Sequence, residues 1–267
     1  MGEKDLHADG GALALRMAEW GLVPTADPAA RLRYPELPAH EEPSAAEAWS
    51  RAREGMPVSA ALAKELAADG LLKGVRIAMS LIVEPKTAVL VERLAQAGAT
   101  VGVYCHAHEC HQYIADELAR RGYAVEANAA WTPAQEREGA LRLMDRIRPN
   151  VVIDDGANFA RLLVMERPAL LPQLVGVAEE TTSGVRAFQA MQAARELPFP
   201  VVAVNDSQLK THFDNRHGTG ETCAATTLEL LGAGCFDHAR VAVMGYGPVG
   251  EGFARRVRAL GARVTVV

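Results

Sequence analysis

The sequence is poor in cysteine, in long apolar runs and in clustered positive charge. Four cysteines in 267 residues are too few for a disulfide framework, so reduced thiols and a cytoplasmic location are expected. No apolar run approaches the length of a membrane span, and the charged N-terminus lacks the pattern of a signal peptide. The net charge of −5, with Lys and Arg scattered, favours neither nucleic acid nor a membrane as a partner.

The length of the chain favours two domains over one. Residues 1–45 are rich in Ala, Glu and Pro. Because proline interrupts regular structure, they are interpreted as an N-terminal extension with one short helix at residues 11–20. Residues 46–219 are predicted to form the first domain, and residues 220–267 the start of a second.

Beyond the extension, short apolar runs alternate with segments of helical periodicity. Ser44 and Ser59 stand where N-caps are expected for the first two helices. Repeated βα units of this length predict an α/β fold, with a mostly parallel sheet and helices on both of its faces. The strands of that sheet are predicted at residues 75–81, 100–104, 124–126, 151–153, 174–178 and 201–204.

Polar pairs mark the ends of three predicted strands. They are residues 154–155 (Asp-Asp), 179–180 (Glu-Glu) and 205–206 (Asn-Asp). A single acidic residue at such a place is most often a helix cap, but ligands of parallel sheets bind beyond the carboxyl ends of the strands. Three polar ends in one sheet therefore predict a shared cleft.

A polar segment, residues 205–215, follows the last of these strands, and a glycine-rich turn lies further along the chain. The turn reads Gly-Tyr-Gly-Pro-Val-Gly over residues 245–250, between a predicted strand at 240–244 and a predicted helix at 248–260. Glycines so placed permit close approach of the backbone to a pyrophosphate at a helix N-terminus. The turn therefore predicts the start of a Rossmann dinucleotide-binding domain.

Together these motifs resemble the S-adenosylhomocysteine hydrolase family over residues 56–267. The matching segments are Ile-Asp-Asp-Gly from Ile153, Glu-Glu-Thr-Thr-Ser-Gly from Glu179, Val-Asn-Asp-Ser from Val204, Lys-x-x-Phe-Asp-Asn from Lys210, and the glycine turn. The resemblance implies a substrate domain followed by an NAD-binding domain, with a tightly bound NAD. It also implies a small ribosyl substrate and a homo-oligomer, either a dimer or a tetramer.

The resemblance further implies a closed redox cycle. The ribose 3′-hydroxyl is oxidised, the C4′ proton is removed, a thiol leaves C5′, water adds, and the ketone is reduced again. The implied catalytic residues are Asp155 toward the leaving group, Asn205 in support of the lysine, and Glu180, Lys210 and Asp214 at the ribose hydroxyls. The implied cofactor-binding residues are Thr181, Thr182, Ser183, Asn215, Gly245, Gly247, Pro248, Val249 and Gly250.

The match to the family breaks after the first strand. The family pattern Cys-Leu-His-Met-Thr-x-Glu-Thr is replaced by Ser-Leu-Ile-Val-Glu-Pro-Lys-Thr from Ser80. The family histidine at C5′ becomes Ile82, and the residues that contact adenine become Glu84 and Lys86. An isoleucine cannot transfer a proton, and Lys86 cannot accept a hydrogen bond from an amino group. Altered recognition of the base and of the leaving group is therefore expected.

A second departure is a loop rich in potential metal ligands, with Cys105, His106, His108, Cys110 and His111 close together. Three interpretations stay open. The loop binds Zn²⁺ or a similar ion; or one of its histidines replaces the lost acid/base near C5′; or it is a polar loop with one or two buried cysteines.

The chain ends at the second predicted strand of the nucleotide unit, before the acidic residue expected to contact the ribose of NAD. We therefore expect a longer chain, or a partner that supplies the remainder. Three functions follow as hypotheses. The first is an NAD-dependent enzyme that keeps the family's ribose chemistry; the others are a non-catalytic binding or regulatory homologue and a metal-dependent hydrolase centred on the Cys/His loop.

Overall fold

The computed structural model describes residues 44–267. The predicted N-terminal helix at residues 11–20 lies outside the described residues. Within them, strands and helices alternate along the chain, so the predicted α/β fold is confirmed.

The described elements keep close to the predicted boundaries. In chain order they are α1 (Ala45–Glu54), α2 (Pro57–Asp69), β1 (Arg76–Ser80), α3 (Pro85–Gln96), β2 (Thr100–Tyr104), α4 (Gln112–Arg120), β3 (Ala124–Glu126), α5 (Pro133–Ile147), β4 (Val151–Asp154), α6 (Asn158–Glu166), β5 (Gly176–Glu179), α7 (Thr182–Ala193), β6 (Val201–Ala203), α8 (Gly220–Leu231), β7 (Arg240–Val243), α9 (Pro248–Ala259) and β8 (Arg263–Val266). Short 3₁₀ turns occupy Ala107–Glu109, Pro168–Gln173 and Val204–Asp206, and a π-helix, Gln208–Thr219, leads directly into α8.

The first six strands form one parallel sheet in the order β3-β2-β1-β4-β5-β6. The chain runs outward to one edge from β1 through β2 to β3, then returns to start the other half at β4. The strand order thus reverses between β1 and β4, and ligands of such sheets bind in the crevice at that reversal. The loops that follow β1 and β4 are therefore the first place to look for a site.

Two apolar clusters cover the two faces of this sheet. Side chains alternate along each strand: Ala78 of β1 packs in one cluster, with α5 and α6, while Ile77 and Met79 pack in the other, with α1, α3 and α4. Leu143 of α5 and Trp49 of α1 are buried at the centres of the respective clusters. Helices on both faces leave the carboxyl ends of the strands as the accessible edge.

One of the two predicted helix caps is correct. Ser44 Oγ accepts a hydrogen bond from the Glu47 amide (3.3 Å), and the Glu47 side chain accepts one from the Ser44 amide (3.0 Å), which completes a capping box. Ser59 is wrong as a cap because Pro57, whose fixed φ suits the first helical position, starts α2 earlier, with Met56 as its N-cap. Ser59 Oγ instead donates to the Met56 carbonyl oxygen (3.3 Å).

The last two strands, β7 and β8, form a separate two-stranded parallel sheet joined by α9. The π-helix and α8 lie against α9 at glycine positions. A Cβ at Gly252 would lie 2.0 Å from the Arg216 carbonyl oxygen, and one at Gly220 would lie 2.8 Å from the Phe253 amide nitrogen. Only residues without a side chain allow the backbones to approach so closely.

None of the helices within residues 44–267 combines the length and the apolar character that a membrane span requires.

The core of the sheet gives a first prediction. Leu143→Ala is expected to lower the free energy of unfolding by about 2–5 kcal/mol, because the side chain is fully buried and its removal leaves a cavity. Leu62→Ala, at a residue 52% exposed on α2, is the matched control and should change it by less than about 0.5 kcal/mol. Urea denaturation of both variants measures the difference, and equal effects would contradict the described core.

Candidate active site

The buried carboxylate of Glu179 joins the loops that follow β4 and β5. It accepts three hydrogen bonds from backbone amides, those of Gly156 (2.9 Å), Ala157 (3.0 Å) and Thr181 (3.0 Å). Burial raises the pKa of Glu179, while these amides act in the opposite direction. The side chain therefore works inside the protein, as a tie between two loops.

Gly184, in the first turn of α7, makes room for that carboxylate. A Cβ at this position would lie 2.2–2.4 Å from the carboxylate atoms of Glu179, well inside van der Waals contact. The last position of the Glu-Glu-Thr-Thr-Ser-Gly motif is thus a glycine because any side chain there would collide with Glu179.

Asp154, at the end of β4, has a similar internal role. Its carboxylate accepts hydrogen bonds from the amides of Asp155 (3.1 Å) and Ala160 (2.8 Å), so it holds the start of α6. Burial raises the pKa of Asp154 to about 7, and the charge of Glu179 adds to the shift. Asp154 thus accepts from a donor in the first turn of α6, although Ala157 is the N-cap residue of that helix.

The second member of each acidic pair is half-buried and free for a ligand. Within residues 44–267, neither the Asp155 nor the Glu180 carboxylate forms a hydrogen bond or an ion pair with another side chain. Burial raises the pKa of both groups; the charge of Asp155 adds to the shift of Glu180, and Lys210 opposes it in both. These three side chains therefore share one electrostatic environment.

Asn205 positions the lysine. Its side chain is 2% exposed, and its Oδ1 accepts hydrogen bonds from Lys210 Nζ (3.2 Å) and from Thr182 Oγ1 (3.2 Å). Its Nδ2 donates to Asp206 Oδ1 (2.9 Å). The amide thereby connects the end of β6, the start of α7 and the lysine.

Lys210 and Asp214 lie on the π-helix, for which the sequence pattern predicted no regular structure. Ser207 caps this helix, since its Oγ accepts from the Lys210 amide (3.3 Å). Asp214 is exposed, and its charge contributes to raising the pKa of Glu180. Asn215 is half-buried, and its carbonyl oxygen accepts from the Gly220 amide. π-Helical stretches are rare and concentrate at functional sites.

Three of the residues implied to bind the cofactor, Thr181, Thr182 and Ser183, lie at the start of α7. Thr181 is the N-cap residue without a side-chain capping bond, and Thr182 and Ser183 are exposed in the first turn. This helix begins directly after Glu180 and Thr181, at the carboxyl end of β5.

The glycine turn between β7 and α9 fits a pyrophosphate. Gly245 adopts φ 88°, which favours glycine, and a Cβ at Gly250 would lie 2.3 Å from the Gly245 carbonyl oxygen. Among the described residues nothing lies within 4 Å of a Cβ placed at Gly245 or Gly247, so that part of the structure leaves the space above the turn open. Pro248 and Val249 begin α9, whose N-terminus has no side-chain cap and is suited to an anion.

Ile82, Glu84 and Lys86 lie in the loop after β1 and at the start of α3. Ile82 is 43% exposed, and its carbonyl oxygen accepts from Thr87 Oγ1 (2.6 Å). Lys86 Nζ pairs with Glu84 Oε1 at 3.0 Å. Because β1 lies beside β4, this loop neighbours the loop that carries Asp155.

The Cys/His loop does not gather its ligands. His106 Nδ1 lies 3.0 Å from Glu136 Oε2, His108 Nε2 lies 3.6 Å from Glu109 Oε1, and Cys110 shares a hydrogen bond with Cys105. The ring of the fifth candidate, His111, lies against Tyr113. Among residues 44–267 no three His, Cys, Asp or Glu side chains are grouped to hold a metal. The zinc interpretation is corrected accordingly: the side chains pair with separate neighbours.

Two features of the site escaped the sequence analysis. Glu136 lies on α5, thirty residues beyond His106, and no local pattern connects the two. Glu179 and Asp154 were recognised only as members of pairs, since neighbouring residues at a strand end carry equal weight in a sequence pattern.

The chain is similar to known proteins over most of its length. The family model described as S-adenosyl-L-homocysteine hydrolase matches residues 46–168 and 165–245. S-inosyl-L-homocysteine hydrolase of Methanosarcina acetivorans is 40% identical over 220 residues, which cover 80% of this chain and 52% of that protein. Adenosylhomocysteinase of Pyrococcus abyssi is 40% identical over 218 residues, 79% of this chain and 50% of that protein. The chain thus spans about half the length of the curated relatives it matches.

Gly184→Ala is expected to destabilise the protein by more than about 2 kcal/mol, because the added methyl group collides with a buried carboxylate. Gly55→Ala is the matched control, since a Cβ there meets only ordinary contacts of 3.6 Å. Thermal and urea unfolding report both effects. A Gly184→Ala variant as stable as the control would contradict the described position of Glu179.

Asp154 gives a prediction about pH. The unfolded chain releases this proton near the ordinary pKa of 3.8, whereas the folded protein keeps it until about pH 7. The folded state therefore binds more protons between those values, and the contribution of this group to stability falls as pH rises. Asp154→Asn should therefore change the slope of the unfolding free energy against pH in that window. The change corresponds to at most about one proton fewer bound by the folded state relative to the unfolded state. An unchanged slope would refute this.

Proposed function

This chain belongs to the S-adenosyl-L-homocysteine hydrolase family, and we propose that it carries the catalytic groups of an NAD-dependent enzyme that cleaves a nucleoside thioether. The observation that carries the proposal is the grouping of Asp155, Glu180 and Lys210 at the carboxyl ends of the strands, with both carboxylates free for a ligand. A structural cluster would have used these oxygens internally, as Asp154 and Glu179 do.

The proposed substrate is a ribosyl compound with a thioether at C5′. Lys210 uses one of its three N–H donors on Asn205, which leaves two for ribose oxygens. Glu180 and Asp214 accept from the ribose hydroxyls. Bound NAD supplies the reversible acceptance of a hydride from C3′. Lys210 and Asp214 exchange protons at the 3′-hydroxyl and at C4′, and Asp155 lies toward C5′.

The proposed cofactor site has two parts. The pyrophosphate lies on the glycine turn at the start of α9, and the nicotinamide lies toward Thr182, Ser183 and Asn215. The contact of the π-helix with α9 at Gly252 supports this arrangement, because it brings the segment with Lys210 next to that turn. We accordingly propose residues 46–219 as the substrate domain and residues 220–267 as the first half of the NAD domain.

Recognition of the base is proposed to differ from that of adenosylhomocysteinases. Glu84 and Lys86 form an ion pair at the positions where the family resemblance implies adenine contacts. Relatives of both specificities match the chain equally well, so the base is best tested directly. Incubation of the full-length native protein with S-adenosyl- and S-inosyl-homocysteine, each followed for homocysteine release, compares the two.

A binding or regulatory homologue is the second candidate, and Ile82 favours it, since an isoleucine cannot replace a proton-transferring histidine. Calorimetry with NAD, followed by addition of substrate, separates the two functions. NAD reduction by a nucleoside thioether supports the enzyme. Binding of a nucleoside without any reduction of NAD supports the regulatory homologue.

Lys210→Met provides the test of the ribose-oxidising centre. In the full-length native protein, substrate-dependent NAD reduction should fall at least about 100-fold, because the group that exchanges the 3′-hydroxyl proton is lost. Absorbance at the wavelength of the reduced cofactor reports the step. Lys64→Met, at an exposed residue of α2, should retain full activity. A Lys210→Met variant that reduces NAD normally contradicts the assigned role.

A further inference from the structure

We propose that His106, positioned by Glu136, is the acid/base that protonates the leaving sulfur and activates the incoming water at C5′. The inference rests on the proposed function and assigns a catalytic residue to its leaving-group half, where Ile82 stands in place of the family histidine.

His106 is held in place by a hydrogen-bonding contact with a residue of another element. Glu136, on α5, contacts His106 Nδ1 through Oε2 at 3.0 Å and accepts from the Ala107 amide through Oε1 at 2.7 Å. Both carboxylate oxygens are thus committed to the same loop. The Tyr104 ring packs edge-on against the imidazole at 5.5 Å between centroids. This clamp fixes the ring while the side chain stays 27% exposed.

The clamp leaves one ring nitrogen available. A carboxylate at Nδ1 favours the tautomer with a proton on that atom, so Nε2 can accept a proton and then return it. Within residues 44–267, Nε2 of His106 has no hydrogen-bond partner. Although partial burial acts in the opposite direction, the bonds from Ala107 and His106 lower the pKa of Glu136, which keeps it ionised and able to stabilise an imidazolium.

The register of the sheet places His106 across the cleft from Asp155. Ser80, at the end of β1, is paired with Tyr104 of β2 on one side and with Asp154 of β4 on the other. His106 and Asp155 therefore flank the loop with Ile82, on strands about 10 Å apart. Burial raises the pKa of Asp155, and His106 is close enough to oppose that shift.

Two features near His106 suit a thioether. The exposed side of Ile82 offers an apolar surface for methylene groups. A pocket of about 370 Å³ opens beside the imidazole, lined by Tyr104, His106 and Glu136 together with Asn158 and Arg161 of α6. The amide of Asn158 and the guanidinium of Arg161 in this pocket suit the carboxylate at the far end of a thiol.

The other histidines of the loop lack this arrangement. The side chain of His108 is 78% exposed; its Nε2 lies 3.6 Å from Oε1 of the adjacent Glu109, and its ring lies 5.9 Å from that of His106. His111 is exposed beside Tyr113, with its rings 6.0 Å apart. Neither is held by a carboxylate from another element, so neither is fixed toward the cleft.

Every proton that His106 gives up in the proposed reaction is returned to it. The step starts with Nε2 protonated. After C4′ has lost its proton to the ribose-holding groups, the C5′–S bond breaks, a C4′–C5′ double bond forms, and the sulfur takes the proton from Nε2. Water then adds: its oxygen bonds to C5′, one proton goes to Nε2, and C4′ regains a proton. The imidazole ends as it began, one water is consumed and one thiol is released.

The test is His106→Gln in the full-length native protein, with His108→Gln as the matched control. Two signals are followed, NAD reduction by S-adenosyl- or S-inosyl-homocysteine and release of homocysteine. We expect thiol release to fall at least about 100-fold in His106→Gln while NAD reduction persists, because only the C5′ step needs the histidine. His108→Gln should match the unmodified protein in both signals.

Each other outcome overturns the assignment. Normal thiol release by His106→Gln, or an equal loss in His108→Gln, contradicts the role of His106 and leaves the proposed function standing. Absence of NAD reduction in the unmodified protein contradicts the proposed function itself, and the role of His106 with it. Since a substitution can disturb the fold, retained NAD reduction also reports that the variant is folded.

A second variant tests the positioning role of Glu136. The groups that face the imidazole are Tyr104, His108, Glu136 and Asp155. Glu136→Gln removes the partner that stabilises the imidazolium, so the alkaline limb of the pH profile for thiol release should move to lower pH. NAD reduction should not follow that shift. If the rate of thiol release falls by the same factor at every pH, with no shift of the alkaline limb, the result contradicts the proposal that the charge of Glu136 acts on His106.

Discussion

The buried carboxylate of Glu179 is the contact on which the site depends. A charge out of water is unfavourable unless it is fully hydrogen-bonded, and here three backbone amides from two loops surround it. Those loops carry Asp155 and Glu180, so the contact that satisfies Glu179 also sets the spacing of the two free carboxylates. Gly184 is the steric condition for it. The cleft is thus shaped by a residue that never faces the ligand.

A second constraint is the close approach of the π-helix to α9. Gly220 and Gly252 allow backbone contact between them, and the Arg216–Glu251 ion pair at 2.8 Å joins the same elements. Lys210 lies on the π-helix, which packs against α9 and therefore lies near the glycine turn. Its side chain is hydrogen-bonded to Asn205, at the end of β6, so the lysine is also fixed to the large sheet. The proposed chemistry needs this proximity, since hydride transfer requires sugar and nicotinamide in contact.

The sugar half and the leaving-group half of the proposed site rest on different parts of the sheet. Glu180 directly follows β5, and Lys210 and Asp214 lie on the π-helix after β6, where the family motifs are intact. The leaving-group half lies over β1 and β2, where Ile82 has displaced a histidine and the loop after β2 has changed. His106 with Glu136 offers the same proton transfer from a neighbouring strand. On this proposal the histidine that is absent after β1 is replaced by His106, which lies two residues beyond the end of β2.

The sequence by itself determined the order of strands and helices, the cap at Ser44, the polar ends of β4, β5 and β6, and the open glycine turn, because periodicity, turn chemistry and motifs are local. It did not decide which carboxylate of each pair is internal, since successive side chains point in opposite directions and only the packing above the strand end selects one. Nor did it find Glu136 opposite His106, or the π-helix, or that the Cys/His loop gathers no metal ligands within residues 44–267. Those depend on how α5 and α9 pack against the sheet and its loops, and contacts between distant segments leave no periodic signal along the chain.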